Sequence, residues 1–211
     1  MTKVLVSWSG GCDSTLLLYH ACRKFGTPDE PIRALSITAD QVTTEKHENA
    51  AREKLLKEFK KRGLHVEHEQ VHISLKKGPG MRGGGLPQAL MWLYGTQFLR
   101  EDAWFALGYI KGDDWLYHRD DFAEVFKRLQ SIGGRTGNLW TPLIWTEKRA
   151  VIRELEELEL LTLTTWCDRL SRKSKAKNAE PCGECASCRT HDTAVWKLET
   201  YGPGETWGGV L

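Results

Sequence analysis

Ser9-Gly10-Gly11-Cys12-Asp13-Ser14-Thr15 is the segment whose residue types and order are best suited to chemistry. Neighbouring glycines let a backbone come close to a phosphate, and the amides that open a following helix point at the anion. Ser9, Ser14 and Thr15 add hydroxyl donors, Asp13 adds a carboxylate, and Ser7 ends the apolar run just before the turn. The implied task is cradling a polyphosphate. The segment lacks the G-K-[ST] ending of an ordinary phosphate-binding loop, which argues against a kinase or GTPase.

Lys148 is the second candidate. In Thr141-Pro142-Leu143-Ile144-Trp145-Thr146-Glu147-Lys148 it opens the first turn of a late helix, for which Thr146 is the expected cap. A cation there opposes the helix dipole, so it suits an anionic ligand better than it suits the helix. Cys182-Gly183-Glu184-Cys185-Ala186-Ser187-Cys188 is a C-x-x-C-x-x-C knuckle, with Cys167 upstream. Four thiolates fit tetrahedral zinc in a closed structural shell, and an iron–sulfur cluster is the competing occupant. The lysine-rich insert 171–180 between them is too polar for a core, so a metal would tie its ends together. Cys12 reads as a spacer within the turn.

Gly112–Asp121 (GDDWLYHRDD) is an acidic stretch flanked by aromatics, and Asp113, Tyr117 and Asp120 are its candidates for gripping a ring through its N–H edge. Acidic residues ahead of a helix are also ordinary caps. The scattered histidines His20, His65, His68, His72 and His191 read as surface or packing residues.

These residues need a scaffold. Val4–Ser7 reads as a buried strand, and a helix with an apolar face follows from Ser14 to Phe25. Further strands are expected at 32–38, 66–73 and 104–109, the second of these nearer a sheet edge. Helices are expected at about 44–62, 87–99 and 120–132, and from Thr146 to about Leu160. The glycine-rich run 76–85 cannot hold regular structure. Alternating strands and helices imply an α/β fold with a parallel sheet, and the turn after the first strand is where such sheets bind ligands. The expected division is a Rossmann-like nucleotide domain over 1–163 and a small cysteine-rich, zinc-binding region with a terminal helix over 164–211.

Composition sets outer limits. The 211 residues carry 30 basic and 28 acidic side chains, a near balance that argues against wholesale nucleic-acid coating. No apolar run approaches the roughly 20 residues that cross a bilayer, and the N-terminus does not read as a signal peptide. With paired cysteine spacings that suit a reducing compartment, a cytoplasmic protein is expected.

The turn resembles the S-G-G-x-D-S loop of the N-type ATP pyrophosphatases (PP-loop proteins). Taken with Thr165-Trp166-Cys167, Pro181–Arg189 and the Thr141-Pro142-Leu143-Ile144…Lys148 stretch, the chain resembles the 7-cyano-7-deazaguanine synthase family of queuosine biosynthesis. That resemblance implies an adenine-nucleotide α-hydrolase-like fold that binds ATP and Mg²⁺. It implies that Ser9, Asp13, Ser14 and Lys148 are catalytic. Ser7, Gly10, Gly11, Thr15 and Asp40 would complete the nucleotide site, with structural zinc on Cys167, Cys182, Cys185 and Cys188. It implies ligation of ammonia to 7-carboxy-7-deazaguanine through adenylated intermediates, and a homodimer. Three stretches depart from the pattern, all on the substrate side: Gln41-Val42-Thr43-Thr44, Met81-Arg82-Gly83-Gly84-Gly85 and Gly108-Tyr109-Ile110. A related ligase that stops at the amide or takes another deazapurine fits the same features, as does a tRNA-modifying PP-loop enzyme.

Overall fold

The structure is a computed structural model, and it describes residues 4–39, 44–74, 85–167 and 181–205. Asp40, the departure at 41–43, most of the glycine-rich run (through Gly84) and the insert 171–180 lie outside the described residues. Strands are β1 (Val4–Ser7), β2 (Ile32–Ala39), β3 (Val66–Ile73), β4 (Trp104–Ala106) and β5 (Asn138–Trp140). Helices are α1 (Cys12–Phe25), α2 (Glu45–Lys61), α3 (Gly85–Gly95), α4 (Arg119–Ile132), α5 (Lys148–Glu157) and α6 (Ala186–Tyr201).

All strand pairs are parallel, in the order β3-β2-β1-β4-β5. The chain builds outward from β1 to one edge, then returns past β1 to build the other half. Helices emerging on either side of that reversal leave a crevice at the carboxyl end of β1. This is the expected Rossmann-like α/β architecture.

Side-chain alternation on β1 divides the core. Val4 and Val6 point into a cluster with Leu16 and Leu17 of α1, Leu55 and Phe59 of α2, and Val151 and Leu155 of α5. Leu5 points the other way, to Phe105, Phe122 and Phe126, against which Trp92 and Leu93 of α3 also pack. The sheet is therefore covered on both faces, as parallel sheets require. β3 alternates half-buried and exposed residues and forms one edge.

Two expectations need correction. The fourth strand stops at Ala106 rather than running to Tyr109: its pairing with β1 covers only Val4 to Val6. Leu107, Tyr109 and Ile110 stay buried without the ladder. Thr146 does not cap α5: the N-cap is Glu147, and no side chain caps the helix there. Glu147 gives its carboxylate to Arg149 at 2.7 Å instead. Among the described residues, no helix is long and apolar enough to cross a membrane.

One half-buried histidine braces the carboxyl end of β1. Ser36 Oγ donates to the Trp8 carbonyl at 2.6 Å, so its lone pairs are left to accept from His68 Nε2 at 2.9 Å. Trp8 meets the His68 ring edge-on at 5.2 Å. Burial, with the Arg52 charge, holds the His68 pKa down at about 4. Its unfolded value is near 6.5, so below that pH the unfolded chain gains a proton that the folded chain refuses. Stability should therefore fall as pH drops from about 6.5 toward 4. Urea unfolding at pH 7 and pH 5 should show a larger loss for the wild type than for His68→Gln.

Candidate functional site

The turn joins β1 to α1 with little side-chain material of its own. Gly10 has φ +88°, a left-handed backbone that glycine adopts freely, and a Cβ there would lie 3.1 Å from Arg52 Cγ. Gly11 is the N-cap of α1 and has no side chain to bond the first-turn amides. Those N–H groups are left as donors that an anion could take without competition from a capping side chain.

Hydroxyls lock the turn from within. Ser9 Oγ accepts from the Gly11 amide at 3.1 Å and lies 3.0 Å from Ser14 Oγ. Ser14 Oγ accepts from the Ser9 amide at 3.3 Å and donates to the Gly11 carbonyl at 3.3 Å. One proton assignment satisfies all four contacts: Ser9 donates to Ser14, and Ser14 donates to Gly11. Ser9, Gly10, Gly11 and Ser14 thus form one unit. Ser7 is the last residue of β1, in register with Leu35. Thr15 sits elsewhere: it is fully buried, and its hydroxyl takes the Trp8 indole N–H at 3.1 Å, so its side chain faces the core.

Carbonyls of the turn are held from outside. Arg52, 2 % exposed, donates through Nη1 to the Ser9 carbonyl at 2.6 Å and also meets Glu48 and Asn49. The Thr165 amide donates to the Gly10 carbonyl at 3.1 Å. Sequence reasoning missed both. The signal for Arg52 was a cation between Ala51, Leu55 and Phe59, on the helix stripe that should be apolar. Thr165 left no signal, because its backbone does the work.

Lys148 reaches this unit across 135 residues of chain. Its Nζ meets both carboxylate oxygens of Asp13 at 2.7 Å. The side chains are 15 % and 28 % exposed, so the pair is shielded but open to a ligand. Burial opposes the Lys148 charge, yet the carboxylates of Asp13, in hydrogen-bond contact, and Asp113 outweigh it and raise the pKa. Lys148 is a permanent cation near neutral pH. Cys12, buried beside Thr164 Oγ1 at 3.2 Å, has its thiol pushed up by burial and stays a neutral packing group.

Gly108, just past β4, closes the floor. A Cβ there would lie 3.1 Å from the Asp13 carbonyl carbon and the Ser14 amide nitrogen. Of the three candidates in the acidic stretch, Asp113 is the one brought near, since its charge acts on both Lys148 and the buried Tyr109. Tyr117 is 88 % exposed, and Asp120 stands in the exposed first turn of α4 beside Arg119. Tyr117 lies in the short 3-10 turn Asp114–His118 that precedes α4, and both residues stand in solvent.

Cys167, Cys182, Cys185 and Cys188 bring their sulfurs within 4.8 Å of one another, with Cys182 and Cys188 3.9 Å apart. None forms a disulfide. Amides of Cys182, Glu184, Cys185 and Cys188 point at the cysteine sulfurs at 3.3–3.4 Å. Such N–H donors stabilise thiolates. The donor set is therefore suited to a single metal centre.

Arg52→Met, which keeps the bulk but removes the donor to Ser9, is expected to lower stability by about 1–3 kcal/mol. The checks are the urea midpoint and the metal content, which should be unchanged because the cysteines are remote in sequence.

Residues 112–199 match the family model described as Queuosine biosynthesis protein QueC. The match takes in Lys148 and all four cysteines, is under half of the chain, and does not extend to the glycine turn. Among solved structures, the chain is similar to the U34-tRNA thiolase NcsA from Methanococcus maripaludis with its [4Fe-4S] cluster. The identity is 16 % and the TM-score 0.46, over 95 % of this chain and 66 % of that one, so the chain spans about two thirds of that protein's length. No curated protein matches the chain. From residue 112 to residue 199 the chain is similar to the QueC family, the same family that its motifs resemble.

Proposed function

We propose that this chain is an adenylating enzyme of the ATP pyrophosphatase type, acting on a carboxylate carried by a deazaguanine. The observation that carries the reading is the meeting of Lys148 and Asp13 at the uncapped start of α1, beside the Ser9–Ser14 hydroxyl unit. A polyphosphate placed there would receive backbone N–H groups and one shielded cation, while Asp13 gives Lys148 an anion to exchange for phosphate. The Ser9 and Ser14 hydroxyls would have to turn from their bonds within the turn to donate to it.

The chemistry follows from what a carboxylate lacks. Its oxygen is a poor leaving group, so an amine cannot displace it. A carboxylate oxygen attacking the α-phosphorus of ATP forms an acyl adenylate and expels pyrophosphate. Ammonia then attacks the acyl carbon, AMP departs, and a proton is lost to give the amide. A second adenylation, now on the amide oxygen, again releases pyrophosphate, and loss of AMP and of both amide N–H protons gives the nitrile. The turn and Lys148 stabilise charge developing on the departing pyrophosphate, an electrostatic contribution of the kind that dominates many enzymes. Magnesium arriving with ATP would supply charge neutralisation. Among the described residues the four cysteines are the one cluster able to ligate a metal, so we propose that phosphate oxygens hold the magnesium.

Asp113 is the proposed contact to the deazaguanine, because it lies on the same electrostatic neighbourhood as Lys148. Asp40 remains a proposed nucleotide ligand. For the cysteines we propose structural zinc, consistent with buried thiols and amide-supported sulfurs. We further propose a cytoplasmic protein, in which thiols stay reduced, with a nucleotide-handling part over 1–163 and a metal-stapled part over 164–211.

Incubation with ATP, ammonium and 7-carboxy-7-deazaguanine should yield AMP, pyrophosphate and a product lighter than the acid, as the amide or the nitrile. Lys148→Ala should lower turnover by about 10²–10³-fold, the range seen when one charge-stabilising donor is lost. Full activity in that variant contradicts the reading, and turnover with tRNA alone replaces the substrate. Metal analysis should find zinc at one ion per chain. Iron, with visible charge-transfer absorption, would assign the cysteines to a cluster instead.

A further inference from the structure

The four-cysteine centre and the glycine turn are joined by a strap four residues long. Cys167 is a metal-ligand candidate at one end. Two residues upstream, Thr165 pairs with Gly11 as an isolated parallel bridge and donates its amide to the Gly10 carbonyl at 3.1 Å. Thr164, buried, adds its hydroxyl at 3.2 Å from Cys12 Sγ and donates to the Leu161 carbonyl at 2.7 Å. Between the two ends, Trp166 lies flat on His191, with ring centroids 3.9 Å apart and planes 9° from parallel. His191 is buried on α6, one turn after Cys188.

Among the described residues, the strap's further contacts include Trp166 packed against the core and the Cys182 amide on Cys167 Sγ at 3.3 Å. The contact with the turn is one bridge at the sheet's end, outside the named strands. Trp166 Nε1 and His191 Nδ1 are both buried without a hydrogen-bond partner, so their stack supplies contact area but no polar anchor. The thiols bond each other only weakly, at sulfur distances such as 3.9 Å. A metal bound by Cys167 on the strap and by Cys182, Cys185 and Cys188 at the start of α6 would replace weak contacts with four coordinate bonds.

We infer that the four-cysteine centre positions the glycine turn, with Thr165 as the positioning residue. Metal occupancy fixes Cys167, Cys167 fixes the Thr165 amide, and that amide fixes the Gly10 carbonyl opposite the one held by Arg52. The centre is then more than a staple for the tail. Losing its metal would slacken the turn from one side while α2 still grips the other. The inference rests on reading the cysteines as a metal centre, and it holds whatever the turn binds.

Hydrogen exchange without nucleotide tests it. Removing the metal with a chelator should speed exchange of the amides from Gly10 to Ser14 by tenfold or more, while amides of β2 exchange as before. Thr165→Pro, with every cysteine in place but the donor N–H gone, should retain its metal and show the same faster exchange in the turn. Wild-type exchange of the turn in both samples overturns the inference. So does exchange of β2 in step with the turn in metal-free protein, which would assign the metal to the fold as a whole. Purified protein without bound metal also overturns it. Because no nucleotide is present, failure here leaves the adenylation reading standing, and failed adenylation leaves this inference standing.

Discussion

A glycine-rich turn cannot hold its own shape, because glycine supplies neither bulk nor a restricted backbone. Its carbonyls must be fixed from outside if its amides are to face a ligand in one arrangement. Here the Ser9 carbonyl is held by a buried guanidinium from α2 and the Gly10 carbonyl by an amide from the strap before Cys167. The rest of the site depends on that double grip. Preorganised donors stabilise developing charge well because they need not reorient when it appears. The sheet contributes by ending β1 between two diverging halves, which leaves the turn room to be approached.

The Asp13–Lys148 pair carries a second lesson. A shielded ion pair is weak evidence for stability, since desolvation offsets much of the attraction. Placed at the start of a helix, where a lysine opposes the dipole, it makes better sense as a cation held ready. Asp13 keeps the charge on Lys148 despite burial and can be exchanged for a phosphate oxygen. Asp113 and the neutral thiol of Cys12 complete the neighbourhood, one as a further carboxylate and the other as packing.

Much of this was readable in the residues, for identifiable reasons. The turn and the cysteine knuckle are local, so spacing alone announces them. Lys148 is distant from Asp13 in sequence, but its place in a helix where lysine is unfavourable marked it. Arg52 and Thr165 were not read, because both act on backbone carbonyls that no pattern of side chains reveals. Tyr117 and Asp120 share a stretch with Asp113, yet the 3-10 turn before α4 and the first turn of α4 leave them in solvent. Thr15 looked like a further hydroxyl donor, and a buried tryptophan claims it. The short fourth strand reflects how far its pairing with β1 extends, a fact that the sequence of β4 does not contain.

The most direct measurement is a crystal structure with a non-hydrolysable ATP analogue. Phosphates should lie on the amides from Gly10 to Ser14, with the Lys148 ammonium moved from Asp13 onto a phosphate oxygen. Nucleotide bound elsewhere, with the turn empty and the Asp13–Lys148 contact intact, would contradict the proposed site.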